Sequence, residues 1–155
     1  MARILVLNGP NLARLGEREP ELYGLRDLAS IEAELRMLAA SRGHELFAFQ
    51  SEEEAALVGE VWKAKRAGTG LILLNPAAFT HTSIALRDAL AGSRLPFIEV
   101  HLSNPHRREP FRRRSLFSDL ALGVVAGFGP ASYRLALEAG CAWLEDERTP
   151  SRLHR

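Results

Sequence analysis

The feature that most constrains the fold of this chain is a repeated switch between short apolar runs and longer amphipathic stretches. Leu28, Ile31, Leu35 and Leu38 recur every three or four residues, which predicts a helix that Gly43 ends. The same spacing predicts three further helices, which end near Gly68, Ala91 and Glu145. The apolar runs between the helices predict five strands, at residues 3–8, 46–50, 71–74, 96–100 and 122–126.

This alternation of strands and helices predicts the fold class. Strands separated by helices of this length form parallel βαβ units with right-handed crossovers. The sequence therefore predicts an α/β protein with a three-layer, flavodoxin-like fold around a five-stranded parallel sheet. We expect residues 1–147 to form a single domain and residues 148–155 to form an arginine-rich tail.

Charge and cysteine content narrow the possible partners and mechanisms. The 155 residues carry 20 basic and 19 acidic side chains, a formal net charge of +1, which gives no support for a nucleic-acid partner. Only Lys63 and Lys65 among the basic residues are lysines, so chemistry through a lysine imine has two candidates. Cys141 is the single cysteine, which excludes an intramolecular disulfide.

The apolar runs are too short for export or membrane insertion. The first run stops at Asn8, before a signal-peptide core could form. Residues 120–131 form the longest weakly polar stretch, well below the roughly 20 residues that a membrane helix needs. We expect a cytoplasmic protein that does not bind membranes.

In an open parallel sheet, ligands bind beyond the carboxyl ends of the strands, so the loops that follow the strands are the places to search. The first loop extends from Asn8 to Gly24, whereas such loops usually have about two to six residues. Arg18 and Tyr23 indicate a lid that delivers a charged side chain to a site. The alternative is a surface loop whose Tyr23 packs on the edge of the sheet.

The loop after the third predicted strand carries Asn75, Pro76 and His81. Thr80 or Thr82 could cap the following helix, whose N-terminus would present backbone amides to a ligand. A single histidine in such a turn is more often a surface residue than a catalytic one. Asp88, in the helix, is by itself typical of a surface charge.

The fourth predicted strand ends with Glu99 and His101, two residues apart and therefore on the same face of the strand. A carboxylate beside an imidazole fixes the tautomer of the ring, an arrangement common for general acids. A metal site formed with His81 and His106 is the alternative, although the usual HxH and HExxH spacings are absent.

Five arginines follow, at positions 107, 108, 112, 113 and 114. Arg108 and Arg112 are four residues apart, so they could share a helical face and bind one carboxylate or phosphate. A nucleic-acid patch is the alternative, but aromatic residues are few here. The sequence GFGPAS at residues 127–132 lacks the spacing of nucleotide-binding loops and is typical of a structural turn.

Three runs carry a family resemblance: NGPNLARLGEREPELYG at 8–24, NPAAFTHTSIALRDAL at 75–90 and IEVHLSNPHRREPFRRRS at 98–115. In order and spacing they resemble type II 3-dehydroquinate dehydratase, over nearly the whole chain to about Ala139. The resemblance implies dehydration of 3-dehydroquinate to 3-dehydroshikimate through an enolate, in aromatic biosynthesis or quinate breakdown, without metal or cofactor.

The resemblance also implies roles for individual residues. Tyr23 corresponds to the base that removes the proton beside the ketone, Arg18 to the lid arginine, and His101 to the acid that protonates the departing hydroxyl. Asn11 corresponds to the residue that holds a water against the enolate. The substrate-binding set corresponds to Asn75, His81, Asp88, Leu102, Ser103 and Arg112.

In the family, Asp88 would reach a neighbouring subunit's site within trimers that assemble into a homododecamer. A phenol such as Tyr23 is a weak base at neutral pH, so it needs cations nearby, for which Arg18 and Arg108 or Arg112 are candidates. The two lysines lie in the second predicted helix, away from the strand ends, which argues against imine chemistry.

One segment departs from the family pattern: residues 52–55 read EEEA where many members have Asn-His-Glu-Gly. We expect this segment to supply structure and intersubunit contacts. Two other functions remain possible from the sequence: a non-catalytic module that binds anionic metabolites or a partner protein through the arginines, and a metallohydrolase.

Overall fold

The computed structural model describes residues 1–17 and 26–147, with the side chain of residue 147 excepted. Arg18 and Tyr23 therefore lie outside the described residues, as does the predicted tail. The five strands are β1 (Arg3–Asn8), β2 (Glu45–Gln50), β3 (Leu71–Asn75), β4 (Phe97–His101) and β5 (Gly123–Ala126). The four α-helices are α1 (Leu28–Ser41), α2 (Glu54–Arg66), α3 (Ile84–Ser93) and α4 (Ala131–Glu147).

The strands form one parallel sheet in the order β2-β1-β3-β4-β5, so the predicted five-stranded α/β fold is confirmed. The register aligns the carboxyl ends of the strands. Asn8 at the end of β1 lies beside Gln50 of β2 on one side and Asn75 of β3 on the other. Amide side chains from three strands therefore lie side by side at the carboxyl ends of the strands.

Side chains that alternate along each strand separate the core into two layers, one on each face of the sheet. Ile4 and Val6 of β1 pack with α1 and α4, whereas Leu5 and Leu7 pack with α2 and α3. Burial of both faces explains why residues 4–7 of β1 and 71–74 of β3 are consecutively apolar instead of alternating with polar residues. The three layers are those that the helix and strand pattern predicted.

Helix ends and glycines determine how closely the elements approach. Ser83 caps α3 by accepting a hydrogen bond from the N–H of Leu86 at 3.0 Å, so the prediction of a Thr80 or Thr82 cap was wrong. Gly9 is required because a Cβ there would overlap the carbonyl oxygen of Pro76, and its N–H donates to the carbonyl of Asn75 at 2.8 Å.

Among the described helices, none is long and apolar enough to cross a membrane.

Candidate active site

A pocket of about 180 Å³ opens beyond the carboxyl ends of β1, β3 and β4. Its position agrees with the rule that ligands bind at this end of a parallel sheet. Polar and charged side chains form much of the lining, together with proline, leucine and alanine residues from the loops. The lining consists of Pro10, Asn11, Leu12, Leu15, Asn75, Ala77, Ala78, His81, His101, Leu102, Ser103, Pro105, Arg108 and Arg112.

Most of the site residues predicted from the sequence meet at this pocket. Those that line it are Asn11, Asn75, His81, His101, Leu102, Ser103 and Arg112. Asp88 does not line it and is exposed on α3. Since Arg18 and Tyr23 lie outside the described residues, the position of the predicted base and lid arginine stays a prediction.

His101 forms a buried pair with Glu99, as their spacing predicted. The Nε2 atom of His101 lies 2.6 Å from Oε2 of Glu99. Ser115 donates to Oε1 of Glu99 at 2.7 Å, and the Ser118 hydroxyl lies 3.0 Å from Oε2. Burial raises the pKa of Glu99, but the hydrogen bonds from His101, Ser115 and Ser118 outweigh it, and the net shift is downward.

The lowered pKa of Glu99 determines which of the two residues, Glu99 or His101, carries the proton between them. Because Glu99 is held as a carboxylate, which only accepts, Nε2 of His101 must donate to it. Nδ1 is then the ring nitrogen of His101 that is left for a ligand in the pocket. Ser115 and Ser118 were not predicted as site residues, although Ser115 falls inside the third motif.

His81 is oriented by the last residue of the arginine cluster, and the loop that follows the cluster is bound to the same region. Its Nδ1 lies 2.7 Å from the carbonyl oxygen of Arg114. Because a carbonyl oxygen only accepts, Nδ1 carries a proton, and Nε2 of the neutral ring is an acceptor. The Leu116 N–H donates to the Thr80 carbonyl at 2.9 Å, and Arg87 binds both the Leu116 carbonyl and Asp119, so this loop is fastened to α3.

Asn75 belongs to a buried network that the sequence did not reveal. Its Nδ2 donates to the hydroxyl of Tyr133 at 2.9 Å, and that hydroxyl donates to Oδ1 of Asn8 at 2.6 Å. Tyr133 lies on α4 and is fully buried, which raises the pKa of its phenol above the ordinary value. No motif links Tyr133 to a site, because its partners are distant in sequence.

The acidic segment at residues 52–54 holds the start of the first loop. Both carboxylate oxygens of Glu52 accept from the backbone N–H of Asn11, at 2.9 and 3.1 Å. Asn11 has a left-handed backbone with φ of 67°, so this bond stabilises an unfavourable conformation at the edge of the pocket. Glu54 begins α2. The predicted structural role is therefore found, and the predicted intersubunit role is untested.

The arginine cluster does not form the helix that the spacing of Arg108 and Arg112 suggested. The prolines divide it into two short 3-10 helices, Pro105–Arg107 and Pro110–Arg112. Both arginines nevertheless line the pocket. Arg112 forms an ion pair with Glu109 at 2.7 Å. Residues 127 and 129 have the positive φ of glycine turns, in agreement with the predicted structural turn before α4.

Metal ligation was the alternative to the acid role of the histidines. Within residues 1–17 and 26–147, no three His, Cys, Asp or Glu side chains are grouped closely enough to hold a metal ion. His81 and His101 both line the pocket, but each ring is hydrogen-bonded to a group of the protein, Arg114 and Glu99 respectively.

Comparison with known proteins agrees with the sequence motifs. The family model of class II dehydroquinases matches residues 2–141. The chain is 59% identical over 145 residues to a 3-dehydroquinate dehydratase of Xanthomonas campestris pv. campestris (strain B100), covering 94% of this chain and 98% of that protein. The solved type II dehydroquinase of Propionibacterium acnes superposes with a TM-score of 0.87 at 39% identity, over 92% of this chain and 97% of that one.

A second solved structure is similar to the chain in fold and in sequence to nearly the same degree. The type II dehydroquinase of Butyrivibrio crossotus DSM 2876 has a TM-score of 0.86 and 37% identity, over 89% of this chain and 96% of that one. The similarity therefore extends across the sheet, the helices and the strand ends that form the pocket. On this evidence the chain belongs to the class II dehydroquinase family.

Proposed function

We propose that this protein dehydrates 3-dehydroquinate to 3-dehydroshikimate through an enolate intermediate. A base removes a proton from the carbon beside the ketone, and the electron pair moves onto the ketone oxygen. As the enolate collapses, the hydroxyl on the next carbon leaves and takes a proton from an acid, so that one water is released. The observation that best supports the proposal is the convergence of His101, Asn75 and Arg112 on one pocket in a chain of this family.

His101 is the proposed acid. Its Nε2 is engaged by Glu99, so the protonated ring delivers its proton from Nδ1. Glu99 stabilises the imidazolium and keeps the ring from rotating, because two serine hydroxyls hold the carboxylate. Burial of the pair strengthens this interaction by excluding water.

The remaining lining residues are proposed to bind the substrate, an anion with several hydroxyl groups. Arg112 offers a permanent cation for the carboxylate, while Ser103, the backbone at Leu102, and Asn75 suit hydroxyl groups. His81, whose Nε2 accepts when the ring is neutral, suits a hydroxyl donor. Asn11 is proposed to hold a water against the enolate oxygen.

Tyr23 is the proposed base, with Arg18 beside it as the lid arginine. These two roles rest on the family motif, which both residues match in sequence. A phenolate at neutral pH requires nearby cations, and Arg108 and Arg112 in the pocket lining are suitable for that purpose in addition to Arg18. Closure of a lid would strengthen their effect by removing water.

The first test is turnover of 3-dehydroquinate by the purified protein. The product is a conjugated enone, so absorbance in the near ultraviolet should rise. Tyr23→Phe should abolish the rise while light scattering shows the same assembly as the parent protein. A folded parent protein that produces no enone would refute the proposal, and an active Tyr23→Phe variant would exclude Tyr23 as the base.

The same assay separates the proposed mechanism from imine, metal and binding-only alternatives. Borohydride added with substrate should not inactivate the protein, because no lysine imine forms. Turnover should also survive a metal chelator, since neither metal nor cofactor is proposed. Binding of 3-dehydroquinate without product would instead indicate a module that binds anionic metabolites.

We also propose a cytoplasmic homododecamer built of trimers, in which residues 1–147 form one catalytic domain and Asp88 contacts a neighbouring subunit's site. Exposed apolar side chains near the edge strand β5 support self-association, among them Leu122, Val124 and Phe128. Light scattering should give twelve times the mass of the chain. Asp88→Ala should lower turnover without unfolding the subunit, and a fully active monomer would contradict the assembly.

A further inference from the structure

We infer that Tyr133 is a positioning residue of the active site: its buried hydroxyl fixes the orientation of the Asn75 side-chain amide. The inference rests on the proposed function, in which Asn75 binds substrate. Tyr133 itself is separated from Asn75 by 58 positions in the chain and does not line the pocket. It would therefore act on the substrate only through Asn75.

One backbone donor determines the direction of every hydrogen bond in this network. The N–H of Ala77 donates to Oδ1 of Asn75 at 3.2 Å, and because an N–H cannot accept, the oxygen of the amide must face Ala77. Nδ2 of Asn75 is then the atom that faces Tyr133. The Tyr133 hydroxyl accepts that bond and has one proton, which it donates to Oδ1 of Asn8.

Burial makes this ordered network rigid. Tyr133 and Asn8 have no exposed surface, and Asn75 is only 3% exposed. Water cannot easily replace a lost partner here, so removing the hydroxyl leaves a buried amide donor without an acceptor. With the hydroxyl in place, Asn75 keeps one hydrogen of Nδ2 and one lone pair of Oδ1 to present to a ligand.

The same network supports the backbone that forms the pocket wall. Ala77 has a φ of 52°, in the left-handed region that is unfavourable for a residue with a Cβ. The bond from its N–H to Asn75 helps to hold this conformation, and both Ala77 and Ala78 line the pocket. Rotation of the Asn75 amide would therefore disturb a side chain and a backbone segment of the site together.

The substitution Tyr133→Phe tests the inference, because it keeps the ring in the core and removes only the hydroxyl. KM for 3-dehydroquinate should rise about tenfold, and kcat should change by less than about threefold. Ser93→Ala is the matched control, since Ser93 is also buried and its hydroxyl donates to a helix carbonyl, that of Leu90, outside the pocket. Both variants should lose some thermal stability, but only Tyr133→Phe should change KM.

A double-mutant cycle distinguishes positioning through Asn75 from a general effect on the fold. In an Asn75→Ala background, Tyr133→Phe should change kcat/KM by less than about twofold, because the residue through which it acts is gone. An unchanged KM for the single variant overturns the inference. A full tenfold effect that persists in the Asn75→Ala background also overturns it.

Two further measurements keep the test independent of folding and of the proposed function. If Tyr133→Phe does not fold, Asn8→Ala removes the acceptor at the other end of the network, and KM should rise about threefold. If the parent protein does not convert 3-dehydroquinate, the proposed function fails, and crystal structures of the parent protein and Tyr133→Phe decide the positioning role. The Asn75 amide should then rotate away from its parent orientation, and an unmoved amide refutes the inference.

Discussion

Two buried hydrogen-bond networks hold polar side chains at the ends of neighbouring strands, and they differ in charge. On β4, His101 is held by the Glu99 carboxylate, which two serine hydroxyls also bind. On β3, Asn75 is held by Tyr133, in a network whose members are all neutral at physiological pH. The first arrangement suits proton transfer and the second suits orientation of a substrate group.

The two networks also differ in the hydrogen bonds that each requires to be stable. A buried carboxylate needs several donors to offset its desolvation, and Glu99 obtains them from His101, Ser115 and Ser118. The neutral network carries no charge to desolvate, so single hydrogen bonds are enough to hold it. The Tyr133 hydroxyl on α4 pairs with Nδ2 of Asn75 and with Oδ1 of Asn8, whereas Nδ2 of Asn8 has no partner among the described residues. Removing a hydrogen-bond partner from the β4 network should therefore change kcat and the stability of the protein at low pH. Removing one from the β3 network should instead change substrate affinity and the stability of the protein at high pH.

The largest expected effect comes from removing the charged network's proton donor. His101→Ala should lower kcat about a thousandfold with a smaller change in KM, because general acid catalysis contributes about that much. Steady-state assays with 3-dehydroquinate measure it. His106→Ala is the matched control, since His106 is exposed and does not line the pocket, and it should keep full activity. Comparable losses in both variants would contradict the acid role.

The next effect tests whether the charge of Glu99 matters. Glu99→Gln should lower kcat about a hundredfold, because an amide does not stabilise an imidazolium as a carboxylate does. Glu138→Gln, which changes an exposed carboxylate on α4 that pairs with Arg134, should leave kcat unchanged. If Glu99→Gln raises only KM, then the β4 network orients substrate as the β3 network does, and the contrast between them disappears.

The sequence predicted the Glu99–His101 pair of the charged network and missed the neutral network, for a physical reason. Glu99 and His101 are two residues apart on one strand, so strand geometry alone places them together. Tyr133 contacts Asn8 and Asn75 only after α4 packs against the sheet. Nothing in the sequence around Tyr133 indicates that its hydroxyl is buried and hydrogen-bonded. The helix and strand pattern likewise predicted the layers, whereas the division of the arginine cluster by its prolines required the structure.

Some of the site was predictable only through family resemblance. His81 lies in a turn where residue type alone favoured a surface role, and Asn11 was indicated only by the family motif, yet both line the pocket. The Glu52 bond to the Asn11 backbone could not be predicted, because it joins residues 41 positions apart through an exposed side chain. Contacts between distant loops depend on the register of the sheet, which the strand pattern does not specify.

Stability at low pH should distinguish the charged network from the neutral one. The pKa of Glu99 in the folded protein lies below its ordinary value near 4.5, so its stabilisation is complete above that pH and is lost as the pH falls toward the folded value. The free energy of unfolding of Glu99→Gln should therefore fall less steeply as the pH is lowered than that of the parent protein, by at most about 1.4 kcal/mol per pH unit. Asp27 and Asp119 also have lowered pKa values, so the difference between variant and parent is the quantity to measure, by denaturant unfolding. Equal acid slopes would show that Glu99 does not contribute.

The smallest effect lies on the alkaline side and belongs to the neutral network. Burial raises the pKa of Tyr133 above its ordinary value of 10, so the folded protein keeps the phenol protonated where the unfolded chain ionises. Stability is therefore complete below pH 10 and falls as the pH rises past it. Tyr133→Phe should remove this part of the loss, about 1 kcal/mol between pH 10 and 11, although the variant is less stable at neutral pH. The measurement compares denaturant midpoints of variant and parent at pH 8, 10 and 11, and parallel curves would mean that Tyr133 ionises as freely in the folded protein as in the unfolded chain.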